Sequence, residues 1–502
     1  MRFFYSLRNS SFALAGQIIT ILLGFVVRWF FIHKLGQEYL GINSVMESML
    51  TILSMTELGI GTSVAFALYK PINDGDEKRI GSLMALYKKV YCVLGVATAV
   101  IGPMLIPFIR FFTREAMNIA HINIIYILFL LNTVLSYFFS YKRTLLSAYQ
   151  QNYINSVSED AFAVVKYILQ CVAIIRFGSY IGYLVINLVC NCCANIVISA
   201  VCGKKYPFLK KYKKEKLLKE DRDKLKKSVV SLMYQKIGAK LVTGTDNLMI
   251  SYAKLTLMGI YSNYSVVVST VSRVVYNVLC SVMGSMGSLM AQEDDDHKYN
   301  VFEEFAFATF CFYFFISIGF SACLERFIVI WAGDGWLLPP SITFVTILNF
   351  FLTGLRQPNI VVIEVAGLFN RLRLKAVGEV VVNLVVSFFF LAVFQMGIYG
   401  VLLGTTVSMV GVCIWWEVSA VHKYALHKSV KKYYKNYFIQ LCAAAIGCFS
   451  AYFAGRLIPI AGIAGLILSG MAACVLFVVV ILIFYGKNRV FWALLKRFQK
   501  RI

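Results

Sequence analysis

Apolar residues do not alternate with polar ones along this chain. They run in blocks of about twenty, each long enough as a helix to cross about 30 Å of hydrocarbon. Reading the blocks in order predicts fourteen spans, near residues 11–33, 40–69, 83–109, 117–140, 156–175, 180–202, 228–253, 259–290, 304–332, 341–363, 377–396, 398–420, 437–457 and 461–485. Hairpin turns are marked by Gly, Pro and charge, as in "RFGSYIG" and "RLIPIAG". The fold class this predicts is an all-α polytopic membrane protein. The first block follows Arg2 and Arg8, has no small-residue cleavage site and continues past Arg28, so it is expected to be retained as a span.

Composition agrees. Of 502 residues, 59% are hydrophobic and 15% charged, far more apolar than a soluble domain. The 13 cysteines fall mostly inside apolar blocks, where they act as small hydrophobes. Cys190, Cys192 and Cys193 share a helix whose spacing spreads their sulfurs around the axis, and the five histidines form no ligand motif, so no metal is expected.

Charge sets the orientation. Of the 49 Lys and Arg residues, six lie inside spans. Only seven (Lys34, Arg110, Arg114, Arg176, Lys254, Arg326 and Arg456) fall on the side opposite the termini. The positive-inside rule therefore predicts two cytoplasmic termini. The net charge of +24 then reads as topology and attraction to anionic lipids, with no nucleic acid needed. The loop "KKYPFLKKYKKEKLLKEDRDKLKK", Lys204 to Lys227, reads as a basic linker helix on the membrane surface between two halves. "NRVFWALLKRFQKRI" reads as an interfacial C-terminal helix. The expected division is 1–203, 204–227, 228–422, 423–486 and 487–502.

A shift of 218 positions lays "RWFFIHKLGQEYLGINS" over "DNLMISYAKLTLMGIYS". Gln17 meets Gln235, Gly41 meets Gly259, Ile42 meets Ile260, Ser44 meets Ser262, and Arg28 meets Asp246. Spans one and two fall on spans seven and eight in the same direction. That is a parallel repeat, which places a substrate site between two halves.

Polar residues lie in stripes at helical spacing. Gln17, Thr20, Gly24 and Arg28 share a line on the first span. Ser44, Glu47, Thr51 and Ser54 share one on the second, with Glu57 at its edge. Ser262, Ser269, Arg273 and Asn277 align on the eighth; Asn349, Thr353 and Arg356 on the tenth; Glu379, Asn383 and Ser387 on the eleventh. A charge at mid-span costs about 2.5–3.5 kcal/mol on insertion scales, so it normally faces protein or a watery cavity. Arg273, Arg356 and Lys240 fall near mid-membrane, Arg28 and Asp246 in the outer half. Lys166 and Lys236 read as snorkelling toward the cytoplasm. Several cations facing one cavity suit an anionic ligand, and guanidinium grips phosphate bidentately. The candidate substrate-binding residues are Arg273, Arg356, Arg28, Lys240, Gln17, Asn277 and Asn349. The candidate gate or ion-coupling residues are Asp246, Glu47, Glu57, Glu379 and Asn383. Arg28 has two readings: a pair with Asp246 across an outer gate, or a side chain reaching the outer surface.

Three segments in order resemble the polysaccharide-transport flippases of the multidrug/oligosaccharidyl-lipid/polysaccharide (MOP) superfamily. "LGQEYLGINSVMESMLTILSMTELGIGTSVAFALYKPI" is similar to their second helix. "TDNLMISYAKLTLMGIYSNY" is similar to their seventh and eighth. "EVAGLFNRLRLKAVGEVVVNLVVSFFF" with "GIYGVLLGTTVS" is similar to their tenth to twelfth. The resemblance implies two six-helix lobes in a V, like multidrug (MATE) transporters. It also implies alternating access that carries undecaprenyl-diphosphate-linked oligosaccharide to the outer leaflet of a bacterial plasma membrane. Spans thirteen and fourteen resemble the extra helix pair of lipid II flippases, which lines a groove for the lipid tail.

The alternative on the same fold is an ion-coupled multidrug exporter, which prefers acidic sites, whereas the deep charges here are mainly basic. An enzyme is not expected, because the outer loops are short and carry no His/Asp constellation. The expected partners are the lipid-diphosphate-linked oligosaccharide and anionic lipids, with a polysaccharide polymerase or other assembly protein as a further candidate. The chain is expected to be monomeric. No cofactor is expected, and coupling to Na+, H+ or membrane potential is left open. The charge asymmetry makes one direct prediction. Single cysteines placed in Lys204–Lys227, in a cysteine-free background, resist an impermeant thiol reagent in intact cells. Ready labelling there inverts the topology.

Overall fold

Inside hydrocarbon a backbone must satisfy its own hydrogen bonds, and helices do so within each segment. The computed structural model describes residues 2–113, 121–213, 215, 217–292, 294–488 and 491–492, and no strand occurs among them. The expected interfacial helix over 487–502 lies almost wholly outside the described residues, as does Arg114; nothing is said of the side chains of Gln235 and Lys236. The chain divides into two compact units, residues 1–259 and 260–502.

The first unit holds α1 (Arg2–Leu35), α2 (Gln37–Leu53), α3 (Ile60–Asn73), α4 (Glu77–Ile101), α5 (Ile106–Phe112), α6 (Ile122–Ala148), α7 (Asn152–Phe177), α8 (Tyr180–Lys205), α9 (Phe208–Lys211) and α10 (Lys219–Ala253). α1 packs on α7, α6 on α4 and α8, and α10 on α2 and α3. The remaining helices are α11 (Leu255–Gln292), α12 (Asp295–Ala332), α13 (Pro340–Val365), α14 (Arg373–Ala392), α15 (Gly397–Ser408), α16 (Ile414–Tyr424), α17 (Lys431–Leu457) and α18 (Gly462–Tyr485). α14 pairs with α15, and α12 packs on α13, α17 and α18. The core of this second unit is aromatic, with Phe310, Phe314 and Tyr313 fully enclosed.

Among the described residues nine helices are long and apolar enough to cross a membrane. The other five predicted spans correspond to α2–α3, α7, α10, α11 and α13. These are the segments that carry Glu47 and Glu57, Lys166, Lys240 and Asp246, Arg273, and Arg356. Polarity at membrane depth is what lowers their hydropathy.

Three segments differ from the sequence reading. The second span is interrupted: a 3₁₀ turn at Ser54–Glu57 is followed by Gly59 at φ 89°, a left-handed conformation that glycine adopts without strain. Thr51 and Ser54 hydroxyls also donate back to the carbonyls of Glu47 and Thr51, which bends helices. The third span breaks into α4, a 3₁₀ turn at Gly102–Leu105 and α5, each of the last two with a proline in its first turn. The linker is not one surface helix: α9 is a single turn, and Lys219 starts the 35-residue α10, which continues into the span. Arg79 fixes this start by donating to Asp221, with Nε at 2.8 Å.

Small residues allow the closest helix contacts, as membrane packing favours. A Cβ on Gly41 would lie 2.5 Å from the Leu255 carbonyl oxygen, and one on Gly259 would lie 2.1 Å from that of Gln37 and 3.2 Å from Gly41 N. The two glycines superimposed by the 218-residue shift thus pack against each other. Gly259→Ala must therefore move backbone, at a cost of about 1–3 kcal/mol, and should lower the thermal midpoint measured in detergent. Gly470→Ala, whose Cβ would sit 3.9 Å from Cys323 Sγ, should leave it unchanged; equal midpoints for the two variants would refute the packing role.

Candidate functional site

Two polar assemblies lie in the first unit and one in the second. The first begins at Arg28 on α1. Glu47 on α2 is the carboxylate whose charge acts on it, with the Tyr183 phenol also in its field. Asn43 Nδ2 donates to Glu47 Oε1 at 2.8 Å, and Tyr180 hydroxyl donates to Asn43 Oδ1 at 3.3 Å. Phe31, Tyr39 and Tyr183 rings surround Tyr180 at 5.0–6.1 Å. An arginine thus lies in the field of the Tyr183 phenol, with a carboxylate one helix away. Glu47 itself is exposed and Arg28 half-buried, so the cluster is open to a ligand.

Asp246, the other residue expected at the gate, is buried on α10 beside Asn247, which donates to Ser48 at 3.1 Å. Arg28 and Asp246 belong to the same compact unit. Glu47, placed among the gate or coupling residues, is a charge partner of Arg28. Gln17 is half-buried and Lys240 exposed.

The second assembly is a cavity of about 500 Å³ walled by α6, α7, α8 and the break after α2, with Glu57, Tyr137, Arg143, Lys166, Asn132 and Asn191 in its lining. The break is what turns Glu57 into this space, where the Tyr137 hydroxyl bonds to it. Arg143 pairs with Glu159 and donates to Asn195 Oδ1 at 2.7 Å. Asn191 donates to Asn132 Oδ1 at 3.1 Å. Lys166 holds its ammonium 5.0 Å from the Tyr167 ring centre and forms no ion pair among the described residues. The cavity therefore offers one ammonium, a guanidinium paired with Glu159, the Glu57 carboxylate and a row of amides. That is a lining for a hydroxyl-rich ligand. The sequence reading set Lys166 aside as snorkelling and missed Arg143 and the asparagines. Asn187, Asn191 and Asn195 recur every four residues on α8, a stripe that the same helical spacing would have revealed.

The third assembly is a closed quartet. Arg356 on α13 forks onto Glu417 of α16, Nε to Oε2 at 3.0 Å and Nη2 to Oε1 at 2.7 Å. Its Nη1 lies 3.6 Å from Glu379 of α14. Lys375 Nζ bridges Glu379 at 2.7 Å and Glu417 at 2.9 Å. Two cations and two anions cancel. Arg356, expected to present charge to a ligand, is 8% exposed and engaged with protein carboxylates. Asn383 donates to Thr405 at 3.2 Å, and Asn349 donates to the Leu402 carbonyl at 3.0 Å. So Arg356, Glu379, Asn383 and Asn349 join α13, α14, α15 and α16. A π-helical turn at Met409–Cys413 immediately precedes α16; such bulges re-aim the residues that follow. Lys375 and Glu417 were missed. The (i, i+4) pair Lys375–Glu379 was a readable signal, but the link to Glu417 was not. Arg273 and Asn277 stand exposed, one turn apart, on α11.

The class this defines is an all-helical, multi-pass membrane protein. The structure is similar to lipid II flippase MurJ in an inward closed conformation (TM-score 0.65, 12% identity, 95% of this chain and 99% of that one). It is also similar to an inward-facing multidrug resistance MATE family transporter (0.61, 11%, 82% and 99%). A MOP superfamily transporter from Pyrococcus furiosus gives 0.50 at 13% identity over 83% and 96%. At these identities the likeness is one of fold. No curated protein matches the sequence. Residues 6–283 match the family described as polysaccharide biosynthesis protein, and the chain belongs to that family.

The quartet generates a thermodynamic prediction. Removing one partner strands a buried charge, at about 3–5 kcal/mol, whereas removing an ion pair together is near neutral. Glu417→Leu should sharply lower the unfolding midpoint in detergent. Arg356→Met added to it should recover most of the loss, because Lys375 and Glu379 still pair. No recovery would mean that the fork carries no coupling energy.

Proposed function

We propose that this chain is a flippase that carries undecaprenyl-diphosphate-linked oligosaccharide from the cytoplasmic to the outer leaflet of a bacterial plasma membrane, by alternating access, for envelope polysaccharide assembly. The observation that carries the reading is family membership over residues 6–283, a stretch that includes both polar assemblies of the first unit. Their chemistry supports it. Arg28 and Lys166 supply positive charge for a diphosphate, and Asn132, Asn191 and Asn195 supply amides for sugar hydroxyls. The fold shared with a lipid II flippase supplies the architecture. Both termini are cytoplasmic in this proposal.

The test is reconstitution. Proteoliposomes holding a diphosphate-linked oligosaccharyl polyprenol should expose its sugar to an impermeant lectin faster than empty liposomes. Arg28→Ala and Lys166→Ala should each slow exposure about tenfold, the loss of one charge-assisted contact. Lysine at position 28 should recover part of it. Exposure no faster than in empty liposomes, alongside ion-gradient-driven export of an organic cation, would replace the flippase with a drug exporter.

A further inference from the structure

A further cavity lies in the second unit, where α12 and α17 begin and α18 ends. It measures about 620 Å³ and is lined by Tyr299, Glu303, Glu304, Lys432, Asn436 and Tyr485, among others. Its position is set by helix ends. Asp295 opens α12, Lys431 opens α17 and Tyr485 closes α18, so the cavity sits at the depth where an apolar span meets water. Its loop side is fixed by ion pairs: Asp295 meets His427 Nδ1 at 3.1 Å, and Asp296 pairs with Lys428, whose ammonium this bond holds above the ordinary lysine range.

Three observations select a ligand. First, the lining is zwitterionic. Glu303 is mostly buried while Lys432 reaches the mouth, their charges 2.7 Å apart. Second, the Tyr485 hydroxyl has no hydrogen-bond partner among the described residues, although the side chain is 96% buried and its ring is locked against Phe307 at 4.9 Å. A buried hydroxyl left unmade costs about 1–3 kcal/mol, and a ligand in the cavity would satisfy it. Third, the outer faces of the same helices are apolar and open. Phe438 is 67% and Ile483 71% exposed, with Val479 and Leu482 beside them. Acyl chains can lie there while the head they carry turns inward.

We propose that this cavity binds the headgroup of a membrane phospholipid bearing both a phosphate and a primary ammonium, as in phosphatidylethanolamine. The ammonium takes Glu303 and the Tyr485 oxygen and replaces the Lys432 ammonium, which lies 5.4 Å from the Tyr299 ring centre, on that cation-attracting face. The phosphate takes Lys432 at the mouth. The ligand thus opens the Glu303–Lys432 pair and replaces each partner with one of its own charges. An anionic headgroup lacks the ammonium and cannot replace Lys432 on Glu303. This lipid is distinct from the cargo of the proposed flippase, and the assignment does not depend on what is transported.

The experiment is competitive lipid retention by the purified full-length chain, read by native mass spectrometry with equal amounts of phosphatidylethanolamine and phosphatidylglycerol. The wild type should retain the ethanolamine lipid about tenfold better, the size of one charge-assisted contact. Glu303→Gln should abolish the preference. Tyr485→Phe, which deletes one oxygen and keeps the packed ring, should cut it about threefold to fivefold, the size of one neutral hydrogen bond. Equal retention of the two lipids, or a preference unchanged in both variants, overturns the site. Displacement of the bound lipid by soluble phosphoethanolamine at equal concentration overturns the lipid as its occupant.

Discussion

An ionised side chain inside hydrocarbon must find its opposite charge, and that requirement organises both units of this protein. Insertion penalties of about 2.5–3.5 kcal/mol per central charge are tolerable only where a partner or a polar space is at hand. Two arrangements meet the requirement. Around Arg356 four charges close on one another, with every carboxylate shared by two cations. Around Arg28 and Lys166 the groups stay accessible: Arg28 is half-buried beside Glu47, and Lys166 lines a cavity. The closed arrangement ties three helices together, α13, α14 and α16. The open one leaves electrostatic potential for a ligand.

The distinction separates residues that look alike in a hydropathy scan. Arg356 and Arg28 each sit in a polar stripe on an apolar helix. Arg356 is surrounded because α14 and α16 each bring a carboxylate to it, the second aimed by the π turn at Met409–Cys413. Arg28 lies in the field of Glu47, from α2, and of the Tyr183 phenol. A guanidinium forked onto glutamate, as Arg356 is, has no free edge for phosphate.

Backbone irregularities place the polar groups as much as helical periodicity does. The break at Ser54–Gly59 carries Glu57 into the 500 Å³ cavity, and a Cβ on Gly59 would come within 2.9 Å of Met233 N, so only glycine lets α10 approach there. Gly41 and Gly259 play the same part where α2 meets the start of α11. The repeat that pairs these two positions is faint residue by residue. It persists where a side chain would separate two helices.

The sequence by itself determined the class of fold, because a helix that crosses a membrane must be apolar over about twenty residues and that is a local property. It determined the stripes on α1, α2, α11, α13 and α14 for the same reason, since spacing along one helix fixes which residues share a face. It also carried the family, through segments that lie within the matched residues 6–283 and beyond them. What it could not determine was which stripe meets which. Glu417 and Lys375 join Arg356, and Glu47 reaches Arg28, through helices brought together by packing, with sequence separations from 19 to 61 residues. Only tertiary structure sets those neighbours, because the energy of a buried charge depends on what lies within a few ångströms in space, and nothing in the order of residues along a single helix specifies that.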